Sequence, residues 1–131
     1  MTLVAALERI RQEAAENESR LRSLADGLGE EALARRPAPT QWSIAEIFVH
    51  LRLTNEACLP AVDRTIETAR RKNLLSDGPF RLGLMGRFFL WYVEPPPVIR
   101  LPAPKVLVPL LAGPASEALP RLLDSRRQVL E

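Results

Sequence analysis

Eight of the chain's twelve prolines fall between Pro95 and Pro120, and this crowding limits what the chain can build. Proline has no backbone N–H to donate, crowds the carbonyl four residues back, and pushes the residue before it away from helical angles. The stretch "PPPVIRLPAPKVLVP" is therefore predicted to be extended, a long crossover laid against the remaining elements. No two prolines stand three apart, so the PxxP pattern of a proline-motif ligand is absent.

Outside that stretch the pattern is helical. Leu3, Leu7, Ile10, Ala14, Asn17, Leu21, Leu24 and Leu28 recur at alternating steps of four and three, which predicts one amphipathic helix from about Thr2 to Asp26, ended by Gly27. Asn17 is the polar exception on this stripe and reads as a partly solvated or register-fixing position. "EEALARR" predicts a short helical turn before Pro37. In "PAPTQWSIAE", Ser43 is placed to cap the next helix while Glu46 reaches back, with Trp42 and Ile47 where a hydrophobic staple sits.

From Ser43 the helix is expected to run to about Asn73, burying a face of Ile47, Leu51, Thr54, Cys58, Val62 and Ala69 and kinking at Pro60. The cations at 70–72 favour the negative end of its dipole. "SDGP" at 76–79 signals a turn, and "FRLGLMGRFFLWYVE" a shorter helix weakened by Gly83 and Gly86, its aromatic residues expected in the core or against the crossover. "SEALPRLLDSRRQVLE" returns to helical spacing through Leu119, Leu122, Leu123, Val129 and Leu130. It carries no exit signal before Glu131, so the chain is expected to stop partway through a helix.

A length of 131 residues suits one domain spanning 1–131, and 47% hydrophobic with 26% charged residues is a globular composition. The formal charge is +2, but carboxylates are interspersed with the arginines, which argues against a dedicated nucleic-acid face. A lone cysteine, Cys58, fits a reducing compartment, and the expected location is cytoplasmic. The start lacks a secretory pattern, and the apolar run Leu82 to Val93, interrupted by Arg87, is shorter than the about 20 residues a membrane span needs. That run has the length of an interfacial helix as well as of a buried one; burial is the expectation, with no membrane partner.

The chain's single histidine, His50, lies on the helix face bounded by Ile47 and Thr54, so it is expected to look inward or along the bundle edge. Position alone describes a buried, hydrogen-bonded imidazole. Glu46 stands four residues earlier at ligand spacing, but its capping role accounts for it. Cys58 lies about 12 Å further along a straight helix, too far to share an ion, and reads as a small core residue. There is no phosphate-binding loop or dinucleotide glycine pattern, and no catalytic residue is assigned.

"RRPAPTQWSIAEIFVHL" resembles the signature of DinB-like, or YfiT-like, domains, and "YVEPPPVIRLPAPKVLVP" resembles the proline-rich crossover of one branch of that family. Together they span most of the chain, from about Leu3 to the end. The resemblance implies an all-α, up-down helical bundle with a long proline-rich crossover. It also implies a divalent metal of zinc or nickel type held by three histidines, one on the second helix and two placed four apart on the fourth. The implied chemistry is that of a metal-dependent hydrolase or thiol-dependent transferase acting on a small-molecule substrate. His50 matches the helix-two ligand, whereas neither partner histidine occurs in this sequence and the fourth helix is expected to be lacking. Metal is then not expected to be stably bound by this chain alone, because a catalytic ion usually takes three protein ligands. Two copies would bring only two histidines. The alternative expectation is a non-enzymatic association module, a homo-oligomer that fills the groove of the missing helix with a second copy.

Overall fold

A computed structural model describes residues 3–74, 81–94 and 102–130. Among them there is no strand. The elements are α1 (Leu3–Ala25), α2 (Glu30–Ala34), α3 (Ile44–Arg71), α4 (Leu84–Val93) and α5 (Ala118–Leu130), with single 3₁₀ turns at Lys105–Leu107 and Ala115–Glu117. The extended reading of the crossover needs one correction, since the proline-free triplet Lys105–Leu107 closes a 3₁₀ turn, Leu107 N–H donating to Pro104 O at 2.8 Å. The turn expected at 76–79 and the start of the crossover, 95–101, lie outside the described residues.

Local chemistry sets the helix ends. Ser43 Oγ accepts from the Glu46 N–H at 3.2 Å while Glu46 Oε2 accepts from the Ser43 N–H at 2.8 Å, a reciprocal cap that starts α3. At its other end Asn73 takes φ 51°, and Leu74 N–H reaches Ala69 O at 2.9 Å while Asn73 N–H reaches Arg70 O at 3.2 Å. This is the paired closure in which a left-handed residue returns the chain onto the last carbonyls. Gly27, at φ 72°, plays the left-handed part after α1. Pro60 leaves α3 continuous as an element.

The core lies where α3 meets α5. Ala45, Phe48 and Val49 pack with Ala115, Ala118 and Leu122, and Leu33 from α2 closes one end. Leu21 and Ala25 of α1 lean on the same cluster. Ser125, buried in α5, donates to Leu122 O at 2.8 Å and accepts from Asn55 Nδ2 at 3.2 Å, so the polar groups in this contact are paired. Arg126 Nη2 donates to Ala14 O at 2.7 Å, fastening α1 to α5.

The start of α5 is capped from afar. The Glu30 carboxylate accepts the Ala115 N–H on Oε1 and the Ser116 N–H on Oε2, the latter at 2.9 Å, and these donors hold its pKa below the usual carboxylate value. A helix start leaves such N–H groups unpaired, and Pro114 just before them offers no capping side chain.

Three expectations about burial are corrected. The α3 face of Ile47, Leu51, Cys58 and Val62 is exposed, because α5 sits instead on Ala45, Phe48, Val49 and their neighbours. Cys58 is thus no core residue. On α1, Leu7, Ile10 and Leu24 are likewise exposed, while Asn17 is solvated as expected. Of the α4 aromatic residues expected in the core or against the crossover, Phe88, Phe89 and Trp91 stand exposed and Tyr92 is half-buried.

Glu30→Ala should leave Ala115 and Ser116 N–H without their acceptor. Amide exchange at these two positions is expected to accelerate well ahead of that at Leu122 and Leu123; unchanged protection there would show that the carboxylate does not hold the α5 start.

Candidate functional site

The chemistry-bearing residues of the α3 start are arranged around one buried carboxylate. Arg36 Nε donates to Glu46 Oε2 at 2.8 Å and Oε1 at 3.0 Å, its Nη2 donates to Oε1, and its Nη1 donates to Pro39 O at 3.3 Å. The Arg36 guanidinium, and after it the Ser43 N–H, hold the Glu46 carboxyl below its usual range, against the opposing effect of burial. With both oxygens committed to Arg36 and Ser43, Glu46 is a structural carboxylate.

His50 lies two turns into α3, half-buried. Its Nδ1 stands 2.7 Å from Leu107 O in the crossover's 3₁₀ turn. A carbonyl oxygen only accepts, so Nδ1 carries the proton, and the neutral ring then presents a lone pair on Nε2. The Trp42 ring packs against the imidazole at 4.9 Å between centroids, tilted 44°. Trp42 thus meets His50 one turn beyond the staple partner expected at Ile47, whose side chain is exposed. Nε2 has no hydrogen-bond partner among the described residues.

Leu51 opens onto a different feature, a cleft of about 380 Å³ between α1, α3 and α5. Leu21, Leu51 and Leu122 line it together with Asn17, Arg20, Asn55 and Arg126. Neighbouring helix positions differ by about 100°, so His50 and Leu51 look to different flanks of α3. The cleft and the imidazole are therefore separate features of one helix. Sequence reading singled out His50, Glu46, Cys58 and Asn17, but missed Asn55, Arg20 and Arg126 at the cleft. Asn55 stands four after Leu51, a polar residue beside the apolar stripe, and that was the available signal.

An all-helical chain with a capped second long helix, one imidazole on it and a proline-rich crossover hydrogen-bonded to that imidazole has the make-up of a DinB-type bundle. The family model of the DinB superfamily matches residues 13–131, and the chain belongs to that superfamily. No curated protein and no solved structure matches it.

DinB-like proteins are typically metal-dependent. His50 fits one position of such a centre, since donation from Nδ1 to a backbone carbonyl orients a ligating imidazole and leaves Nε2 to bind. The rest of the donor set does not fit. Among the described residues no three His, Cys, Asp or Glu side chains group to hold an ion, and the sequence has no second histidine. Among the described residues, no helix is long and apolar enough to cross a membrane.

The depressed Glu46 pKa fixes a sign. Its contribution is full above the ordinary glutamate pKa of about 4.3 and disappears as pH falls through the lower folded value. Glu46→Gln should cost about 1–3 kcal/mol at pH 7 in chemical denaturation, and the gap to the unaltered chain should close in acid. A gap independent of pH would deny the carboxylate its role.

Proposed function

We propose that this chain is a DinB-type domain that supplies one oriented imidazole to a shared site and does not by itself carry out metal-dependent hydrolase or thiol-dependent transferase chemistry. The observation that carries this reading is His50: its tautomer is set by Leu107 O and its ring is packed by Trp42, but no convergent ligands accompany it among the described residues. A catalytic ion needs about three protein ligands and an open position for water. The remaining donors would have to come from another polypeptide segment, and the substrate would be set there as well.

A second reading, a non-enzymatic association module, is favoured by one specific observation. The apolar stripes of α1 and α3 that the sequence marks for burial are exposed, through Ile10 and Leu24 on one helix and Ile47, Leu51 and Val62 on the other. Exposed apolar surface of this kind is the mark of an interaction site.

Elemental analysis of the purified chain after incubation with zinc or nickel salts tests the first reading. Metal well below one equivalent, unchanged by His50→Ala, is the expected result. One equivalent that vanishes on His50→Ala would overturn it.

A further inference from the structure

Among the described residues, α4 takes no part in the core: it contributes neither to the buried cluster nor to the partly buried side chains packed around it. Leu84 and Met85 are 87% and 81% exposed, and Phe88, Phe89 and Trp91 are at least half exposed. At about 100° per residue these five side chains fall within an arc of about 160°, running from Trp91 through Leu84, Phe88 and Met85 to Phe89. Arg87 stands at the border of that arc beside Trp91, and Gly86 and Leu90 lie on the opposite face. The helix thus turns a broad apolar side to solvent.

We propose that α4 binds the surface of an anionic membrane, lying along the interface with Leu84, Met85, Phe88 and Phe89 among the acyl chains and Arg81 and Arg87 at the headgroup phosphates. Charge points to a lipid surface. Residues 70–94 hold five cations, Arg70, Arg71, Lys72, Arg81 and Arg87, against two carboxylates, Asp77 and Glu94, whereas the other thirteen cations of the chain meet fourteen carboxylates. The excess positive charge therefore lies wholly in the segment that carries the exposed helix. None of the five forms an ion pair among the described residues. Apolar side chains that insert, with cations at their border and upstream, match what an anionic bilayer surface offers in one place.

Length and end chemistry suit the same placement. Ten residues make a helix of about 15 Å, too short for the about 30 Å hydrocarbon layer but long enough to lie in its surface. A run of this length suits either a buried or an interfacial helix, and its exposure here favours the second. Trp91 and Tyr92, adjacent in the last turn, each join an apolar ring to a polar group, the make-up that collects at headgroup level. Glu94 stands past them, at the opposite end of the helix from Arg81.

Vesicle flotation of the full chain tests this, whether or not His50 serves a shared site. The chain should float with vesicles of phosphatidylglycerol and phosphatidylcholine in equal parts, bind phosphatidylcholine alone roughly tenfold or more weakly, and come off the anionic vesicles as salt rises. Phe88→Glu, at an exposed position, should abolish flotation with the circular dichroism spectrum unchanged. Arg81→Gln together with Arg87→Gln should weaken binding to the anionic vesicles by roughly tenfold or more. Brominated acyl chains should quench tryptophan emission in Trp42→Phe but not in Trp91→Phe, which places α4 itself among the lipids. No flotation, binding that ignores Phe88→Glu, or quenching that survives Trp91→Phe would overturn the membrane assignment. Self-association in sedimentation that Phe88→Glu abolishes, without flotation of the unaltered chain, would overturn it too and give α4 a second copy as its partner.

Discussion

The carboxylate of Glu46 is the constraint on which the rest depends. It closes the cap that starts α3, and although burial opposes its charge, Arg36 and then the Ser43 N–H hold its pKa below the usual range. Removing Arg36, itself half exposed, would leave the carboxylate only the Ser43 N–H to offset its burial. Through Arg36 the same carboxylate ties down the chain between α2 and α3, so Leu33 arrives at the core beside Ala45 and Phe48. One ion pair therefore sets where α3 begins, which way it faces and what closes the end of the core.

From that start, the rotation of α3 distributes its tasks. Ala45, Phe48 and Val49 meet α5, His50 faces the crossover, and Leu51 opens on the cleft. Three flanks of one helix thus serve packing, orientation of an imidazole, and an uncovered surface. The proposed roles follow from this division: a one-residue change of helix start would rotate all three flanks together by about 100°.

Legibility in the sequence followed distance along the chain. The α3 cap, with its residues three apart, could be read from "WSIAE" alone, as could the helix ends at Gly27 and near Asn73. Apolar stripes were visible on α1 and α3, but periodicity identifies a face without identifying its cover, so Leu51 and Ile10 were expected inside and lie outside. His50 was conspicuous as the only imidazole. Its bond to Leu107 joins positions 57 apart and leaves no local trace. The bonds of Glu30 and Asn55, to partners 85 and 70 positions away, left no local trace for the same reason.

The pairing of α3 with α5 has a consequence for how the chain reaches this shape. All-helical domains of this size ordinarily assemble from sequence neighbours and so fold quickly. Here Asn55 meets Ser125, and Glu30 meets Ser116 from 86 residues away, so the central contact forms only after a long intervening segment has been looped out. The entropy of that closure falls before any of the core's reward is collected. The domain thus joins locally formed helices through a central contact that closes a long loop.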